Sequence, residues 1–226
     1  MAVNEGDALF GSQAIQLYVA YMEEIKLRSR AITEACQRAA ADPVAPGAFV
    51  HAESGFLQLR FICELVALAS LAAHHSIGLG SKLAKQWQAD LAFSMLEQVN
   101  PACFPVAVGR IPEPNGRGNF QIVQRRADFT RAQLAQVYGA CGDALHRGAI
   151  KAHIAGKRRQ YDLGKLNSWH RTMMGLLSQH MVMIRDPDRV VLVNMRRLGE
   201  DVEVFAAGAV ESEELPDHAR QAFDLK

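Results

Sequence analysis

Residues 55–75, GFLQLRFICELVALASLAAHH, are apolar on nearly every side of a helix. A helix without a polar face is stable only when other elements surround it. This stretch therefore commits the chain to a packed bundle with one central helix, and 226 residues are enough to bury such a core. Its most apolar part, residues 61–73, contains Glu64 and falls short of the roughly 20 apolar residues needed to cross a bilayer. We read it as a core helix and expect no membrane association.

The flanking sequence supplies the surrounding elements. Between residues 12 and 41, Ile15, Tyr18, Val19, Met22, Ile25, Ile32 and Cys36 recur at helical steps and define one long amphipathic helix. It ends at D-P-V-A-P-G, residues 42–47, where two prolines and a glycine stop helical hydrogen bonding. Ser81 can cap a third helix carrying Leu83, Trp87, Leu91, Met95 and Leu96, halted by Asn100-Pro101. Residues 100–128 hold four prolines and a G-R-G-N stretch, which predicts an irregular excursion with a short strand at Gln121 to Val123. Thr130 can cap a fourth helix carrying Leu134, Val137, Tyr138, Cys141 and Leu145, with Gly139 and Gly142 permitting close helix contact. A fifth helix is expected from Leu163 to Ile184, with His170 and His180 on its half-buried face beside Trp169, Met173, Leu176 and Leu177. After Asp186-Pro187-Asp188 the period changes. RVVLVNMRRL and DVEVFAAGAV are rich in β-branched residues and separated by Gly199-Glu200, the pattern of a β-hairpin. An acidic tail follows from Glu211.

The sequence thus predicts a mainly α fold, a bundle of about five helices with a C-terminal β-hairpin and acidic tail. The expected division is a helical domain over 1–185, including the irregular loop 100–128, and a hairpin-and-tail unit over 186–226. Cys36, Cys63, Cys103 and Cys141 lie too far apart for a C-x-x-C zinc site. No structural metal or cofactor is expected. Free thiols in helix-like patterns, and an N-terminus MAVNEGDALF without a basic start or apolar core, point to the reducing cytoplasm. A G-x-S-x-G elbow, an H-E-x-x-H pair and a dinucleotide fingerprint are all absent, which disfavours those hydrolase, protease and dehydrogenase classes.

Charge is distributed unevenly. Residues 1–107 carry 7 basic and 10 acidic side chains, 108–171 carry 12 and 4, and 172–226 carry 6 and 10. Within the basic middle, Arg147, Lys151, Lys157, Arg158, Arg159, Lys165 and Arg171 are interleaved with Tyr161 and Trp169. Cations bind phosphates and aromatic rings stack on unpaired bases, so this composition suits single-stranded nucleic acid. The plainer reading is a solvated connector whose charges prevent aggregation; seven cations within 25 residues favour an anionic partner, which could equally be the protein's own acidic tail in this subunit or another. Arg60 and Glu64, four apart on the central helix, suit a structural ion pair. The other reading has them lining a polar cleft that opens onto Arg147 and His153. His74-His75 before G-L-G-S-K is read as a helix end followed by a glycine turn, since the order differs from a phosphate-binding loop.

The sharpest chemical candidate is LHRGAIKAH, residues 145–153. Arg147 can hold a phosphate through two parallel hydrogen bonds, and His153 can move a proton near neutral pH. On a continuous helix these two would lie about 120° apart, whereas His146 and His153 would share a face. Arg147-x5-His153 in a helical bundle resembles the R-x4-6-H signature of the HEPN superfamily, although Gly148 stands where a polar residue commonly follows the Arg. That resemblance covers the helical part of the chain. It implies a bundle that associates into dimers and a metal-independent endoribonuclease of a defence or toxin type. Arg147 and His153 would then be catalytic, with His146 and Lys151 supporting them. Lys151, Lys157, Arg158, Arg159, Tyr161 and Lys165 would bind the nucleic acid. The competing class is a non-enzymatic helical module that holds a protein or nucleic acid through the same basic segment.

Overall fold

The computed structural model describes residues 5–45, 47–74, 85–86, 88–112, 120–125, 129–146, 160–184 and 189–208. Among them are five helices, α1 (Glu5–Ala41), α2 (Ala48–Ala73), α3 (Ala89–Glu97), α4 (Arg131–Leu145) and α5 (Leu163–Leu177). Five strands accompany them, β1 (Val106–Pro112), β2 (Phe120–Gln124), β3 (Gln179–Met183), β4 (Arg189–Asn194) and β5 (Glu203–Gly208). The fold is mainly helical with a small antiparallel sheet.

The spacing of apolar residues explains how α1 and α2 pair. Tyr18, Met22, Ile25, Ile32 and Cys36 are buried on one stripe of α1, and Ile15 and Val19 pack at its margin. They meet Phe56, Leu59, Ile62, Cys63 and Val66 of α2 in one core with Phe93, Leu134, Leu166 and Met173. Helix α2 is long and apolar enough to span a membrane by length and composition, but 67% of its most apolar 18-residue window is buried inside the fold. The core-helix expectation accounts for that burial. At Gly55 an added Cβ would stand 2.8 Å from Leu166 Cδ2, so glycine there lets α5 approach α2 closely.

Three expectations are corrected. The helix carrying Leu91, Met95 and Leu96 begins at Ala89, because the backbone at Gln88 is extended and its N–H donates to the Gln86 side chain, so it does not run on unbroken from Ser81. Of the residues expected in it, Ser81, Leu83 and Trp87 lie outside the described residues. The fifth helix ends at Leu177, and the segment carrying His180 is strand β3, not helix. In QHMVMI the buried positions are His180, Val182 and Ile184, a period of two that suits one face of a sheet. The third correction concerns residues 100–128. They contain strand β1, paired in register with β2 from Val108↔Gln124 to Pro112↔Phe120. The short strand expected at Gln121 to Val123 is the middle of β2.

The sheet order is β2-β1-β3-β4-β5, antiparallel throughout. The C-terminal hairpin is therefore not a lone ribbon. Strand β4 pairs with β3 from Gln179↔Asn194 to Met183↔Val190, and the sheet takes strands from both sides of residue 185. The hairpin connection is longer than Gly199-Glu200, spanning residues 195–202, with Arg196 (φ 51°) and Gly199 (φ 92°) in the left-handed region. The Arg196 guanidinium meets Glu203 and Glu200 there. The acidic tail from Glu211 lies outside the described residues.

Helix α1 grips this turn. Lys26, buried to 5% exposure, donates from Nζ to the Glu200 carbonyl at 2.5 Å and pairs with Glu23 at 2.8 Å. Glu23 in turn accepts from the Val202 N–H at 2.7 Å. Lys26→Ala would leave the Glu200 carbonyl without its charged donor. It is expected to cost about 2 kcal/mol in a urea unfolding curve. Arg30→Ala, which removes the exposed pair with Glu34, is expected to cost about 0.5 kcal/mol or less.

Candidate functional site

The basic connector, residues 147–159, lies between the end of α4 and the start of α5 in sequence and outside the described residues; its flanks are described. Helix α4 begins with a capping box in which Thr130 Oγ1 accepts from the Gln133 N–H and the Thr130 N–H donates to Gln133 Oε1. Arg131, in its first turn, reaches α3 and bonds Asp90 Oδ1 at 2.8 Å and Ser94 Oγ at 3.1 Å. Its guanidinium sits 5.4 Å from the centre of the Phe93 ring. These contacts hold the start of α4 against the segment that follows α2.

Further along, Arg60 of α2 lies over the Tyr138 ring, 4.3 Å from its centre, and donates from Nη2 to the Tyr138 hydroxyl at 2.9 Å. Its Nε faces Glu64 at 3.4 Å. The guanidinium fills the space above Gly142, where an added Cβ would stand 2.7 Å from Nη1. Gly142 therefore permits the close approach, whereas a Cβ on Gly139 would meet nothing within 4 Å. Burial raises the Tyr138 hydroxyl above its usual range, with Glu64 adding to the effect and Arg60 opposing it. Cys141, beside this cluster, is pushed up to about 12 by burial, so it is a packed thiol and not a nucleophile. The structural ion pair expected of Arg60 and Glu64 is present, extended by Tyr138.

One turn beyond Gly142, α4 ends at Leu145. His146 is its exposed C-cap, and its N–H bonds the Gly142 carbonyl at 3.1 Å. On the other side of the connector is Tyr161, whose hydroxyl donates to Glu53 Oε1 and whose ring packs 6.1 Å from Phe56. Asp162 then caps α5 by accepting from the Lys165 N–H at 2.8 Å. Lys165 is exposed and places its ammonium 4.7 Å over the half-buried Trp169 ring. Both ends of the connector are thus held against the first half of α2, one through Gly142 and Arg60, the other through Tyr161 and Glu53.

Of the expected site residues, the structure describes His146, Tyr161 and Lys165. Arg147, Lys151, His153, Lys157, Arg158 and Arg159 lie outside the described residues. Tyr161 anchors the connector to α2. Glu53 and Tyr138 were not legible as neighbours of the site, because their partners are 108 and 78 residues away in sequence. Gly142 was the one available signal. Among the described residues no three His, Cys, Asp or Glu side chains are grouped so as to hold a metal ion.

Compared with known proteins, the chain matches no family model, no curated protein and no solved structure.

Proposed function

We propose that this protein acts on RNA through the connector between α4 and α5, as a metal-independent endoribonuclease of the kind that the HEPN resemblance implies. The observation that supports it most is the mounting of the connector. Residues 147–159 carry five Lys and Arg side chains and no Asp or Glu, and both flanks are bonded to the same stretch of α2. A segment restrained at both ends loses less conformational freedom on binding a polyanion than a free tail would.

In this reading His153 removes the proton from a ribose 2′-hydroxyl as that oxygen attacks the adjacent phosphorus. Arg147 stabilises the charge gathering on the phosphoryl oxygens, and the departing 5′-oxygen takes up a proton. The products are a 2′,3′-cyclic phosphate and a 5′-hydroxyl end. Lys151, Lys157, Arg158, Arg159 and Lys165 hold the flanking phosphates, and exposed His146 is a second proton carrier beside Arg147. Dimerisation, which the resemblance also implies, is read by light scattering at micromolar protein.

The test is incubation of the purified chain with mixed structured and unstructured RNA in excess EDTA. Cleavage leaving cyclic phosphate ends is the expected result. A second reading, a non-enzymatic binding module, draws on the pairing of Arg60 with Glu64 and Tyr138 and of Glu53 with Tyr161, which leaves those groups engaged in structure. It predicts binding without cleavage. If all five connector cations engage phosphates, log affinity should fall against log salt with a slope of roughly −3.5 for single-stranded RNA. Neither cleavage nor salt-sensitive binding would overturn both RNA readings and leave a protein partner.

A further inference from the structure

Two buried histidines join the helices to strand β3, and among the described residues neither is bonded to a carboxylate. His180 of β3 is fully buried. Its Nδ1 lies 2.8 Å from the Leu177 carbonyl, which can only accept, so Nδ1 carries the proton and donates. Its Nε2 then accepts from the Tyr18 hydroxyl of α1 at 2.6 Å. On the sheet its neighbours in register are Ala107 of β1 and Val193 of β4. Among the described residues Tyr18 is the titratable group bonded to it, and burial keeps that phenol neutral well above the usual range.

His74, at the end of α2, is held similarly with one difference. Nδ1 donates to the Ser70 carbonyl at 2.6 Å, and Nε2 accepts from Asn100 Nδ2 at 2.8 Å, but the Met183 carbonyl of β3 also lies 3.2 Å from Nε2. The Asn100 amide is oriented by its other bonds, since Oδ1 accepts from the Ala102 N–H at 3.0 Å and Nδ2 also donates to the Met183 carbonyl of β3 at 2.8 Å. The ionisable side chain on the same turn is Cys103, pushed up to about 12 by burial and so uncharged.

His180 is therefore built into the fold as a neutral acceptor at Nε2. A proton added there would face the Tyr18 hydroxyl, displacing the hydrogen it donates into an apolar surround. A proton added at His74 Nε2 would instead have the Met183 carbonyl of β3 as an acceptor at 3.2 Å. The charge added to His180 would be buried with no carboxylate bonded to it among the described residues.

We propose that His180 is an acid-sensitive latch on strand β3, whose protonation ends the hydrogen bond it accepts from Tyr18 and releases the strand from α1. Burial lowers both rings below the ordinary histidine value of 6.5, His180 to about 4. The sign follows directly. The closed form is fully favoured above pH 6.5, loses ground as pH falls because only the opened form takes up the protons, and stops losing below about pH 4, where His180 titrates in both. From His180 alone, the opening equilibrium at pH 5 should be roughly twentyfold larger than at pH 7.

Amide hydrogen exchange on the full chain at pH 7 and pH 5, corrected for intrinsic exchange rates, reads this directly. Protection of β3 and β4 amides should fall about tenfold or more while that of α1 and α2 holds. Unchanged sheet protection overturns the proposal, and so does a parallel loss in helices and sheet, which would be global unfolding. Tyr18→Phe keeps the ring and removes the hydroxyl that favours the neutral imidazole, so it should move the midpoint of β3 opening to higher pH. A midpoint that stays in place also overturns it. If that variant does not fold, the exchange pattern of the parent decides.

Discussion

Chains carrying Arg147→Ala or His153→Ala are expected to cleave RNA at least ~100-fold more slowly than the parent, in EDTA and at equal folded fraction by circular dichroism. The magnitude comes from the work each group does in the proposed reaction. A positioned general base contributes about 10²–10⁴ to the rate, and a charged donor aimed at a developing oxyanion contributes about 10²–10³. The two losses should not multiply in the double variant if the groups act on one transition state. Lys157→Ala, in the same connector, should instead weaken binding and reduce its salt dependence by about one counter-ion, leaving the cleavage rate at saturating RNA close to the parent's. Variants of Arg147 and His153 that cleave like the parent would remove the pair from the mechanism, and binding that survives in them would favour the non-enzymatic module.

Phe93→Ala is expected to lower the unfolding free energy by about 3–5 kcal/mol in urea denaturation. Phe93 is fully buried on α3 and tilts onto Phe104 with ring centres 5.3 Å apart. The Arg131 guanidinium rests 5.4 Å from its ring centre. Truncation therefore opens a cavity where α3, the approach to β1 and the first turn of α4 meet. It also takes the aromatic face away from a guanidinium that is still bonded to Asp90 and Ser94. Leu91→Ala on the same helix, at 46% exposure, should change stability by about 0.5 kcal/mol or less. Equal effects from the two substitutions would show that α3 is not packed as described.

The paired α1 and α2 were legible because their signals are local and repeated. Tyr18, Met22, Ile25 and Ile32 fall on one stripe, and D-P-V-A-P-G stops the first helix where the chain turns. The cap at Thr130 is of the same kind, set by a side chain and a backbone N–H three residues on. Strand β3 was not legible. Residues 179–184 continue an apolar helical pattern begun at Leu163, and a short run of this sort satisfies either period. Pairing with β1 and β4 decided between them, because that pairing satisfies backbone groups that a buried helix end would leave without partners. Strand β1 was hidden for a related reason: its partners are in β2 and β3, and its own sequence is broken by Gly109 and Pro112.

At the candidate site, residue types and charge run could be read from the chain, but mounting could not. The sequence by itself determined a helical core around residues 55–73, the basic segment, and the Arg60–Glu64 pair, since each depends on residues within one or two helical turns. Only the tertiary structure decided that Gly142 admits Arg60, that Tyr161 is tied to Glu53, that His74 meets Met183 of β3, and that His180 of β3 meets Tyr18 of α1. These contacts join residues tens to more than a hundred positions apart. Their free energy depends on side chains meeting in a dry interior where every donor needs an acceptor, and that condition exists only once the elements have packed.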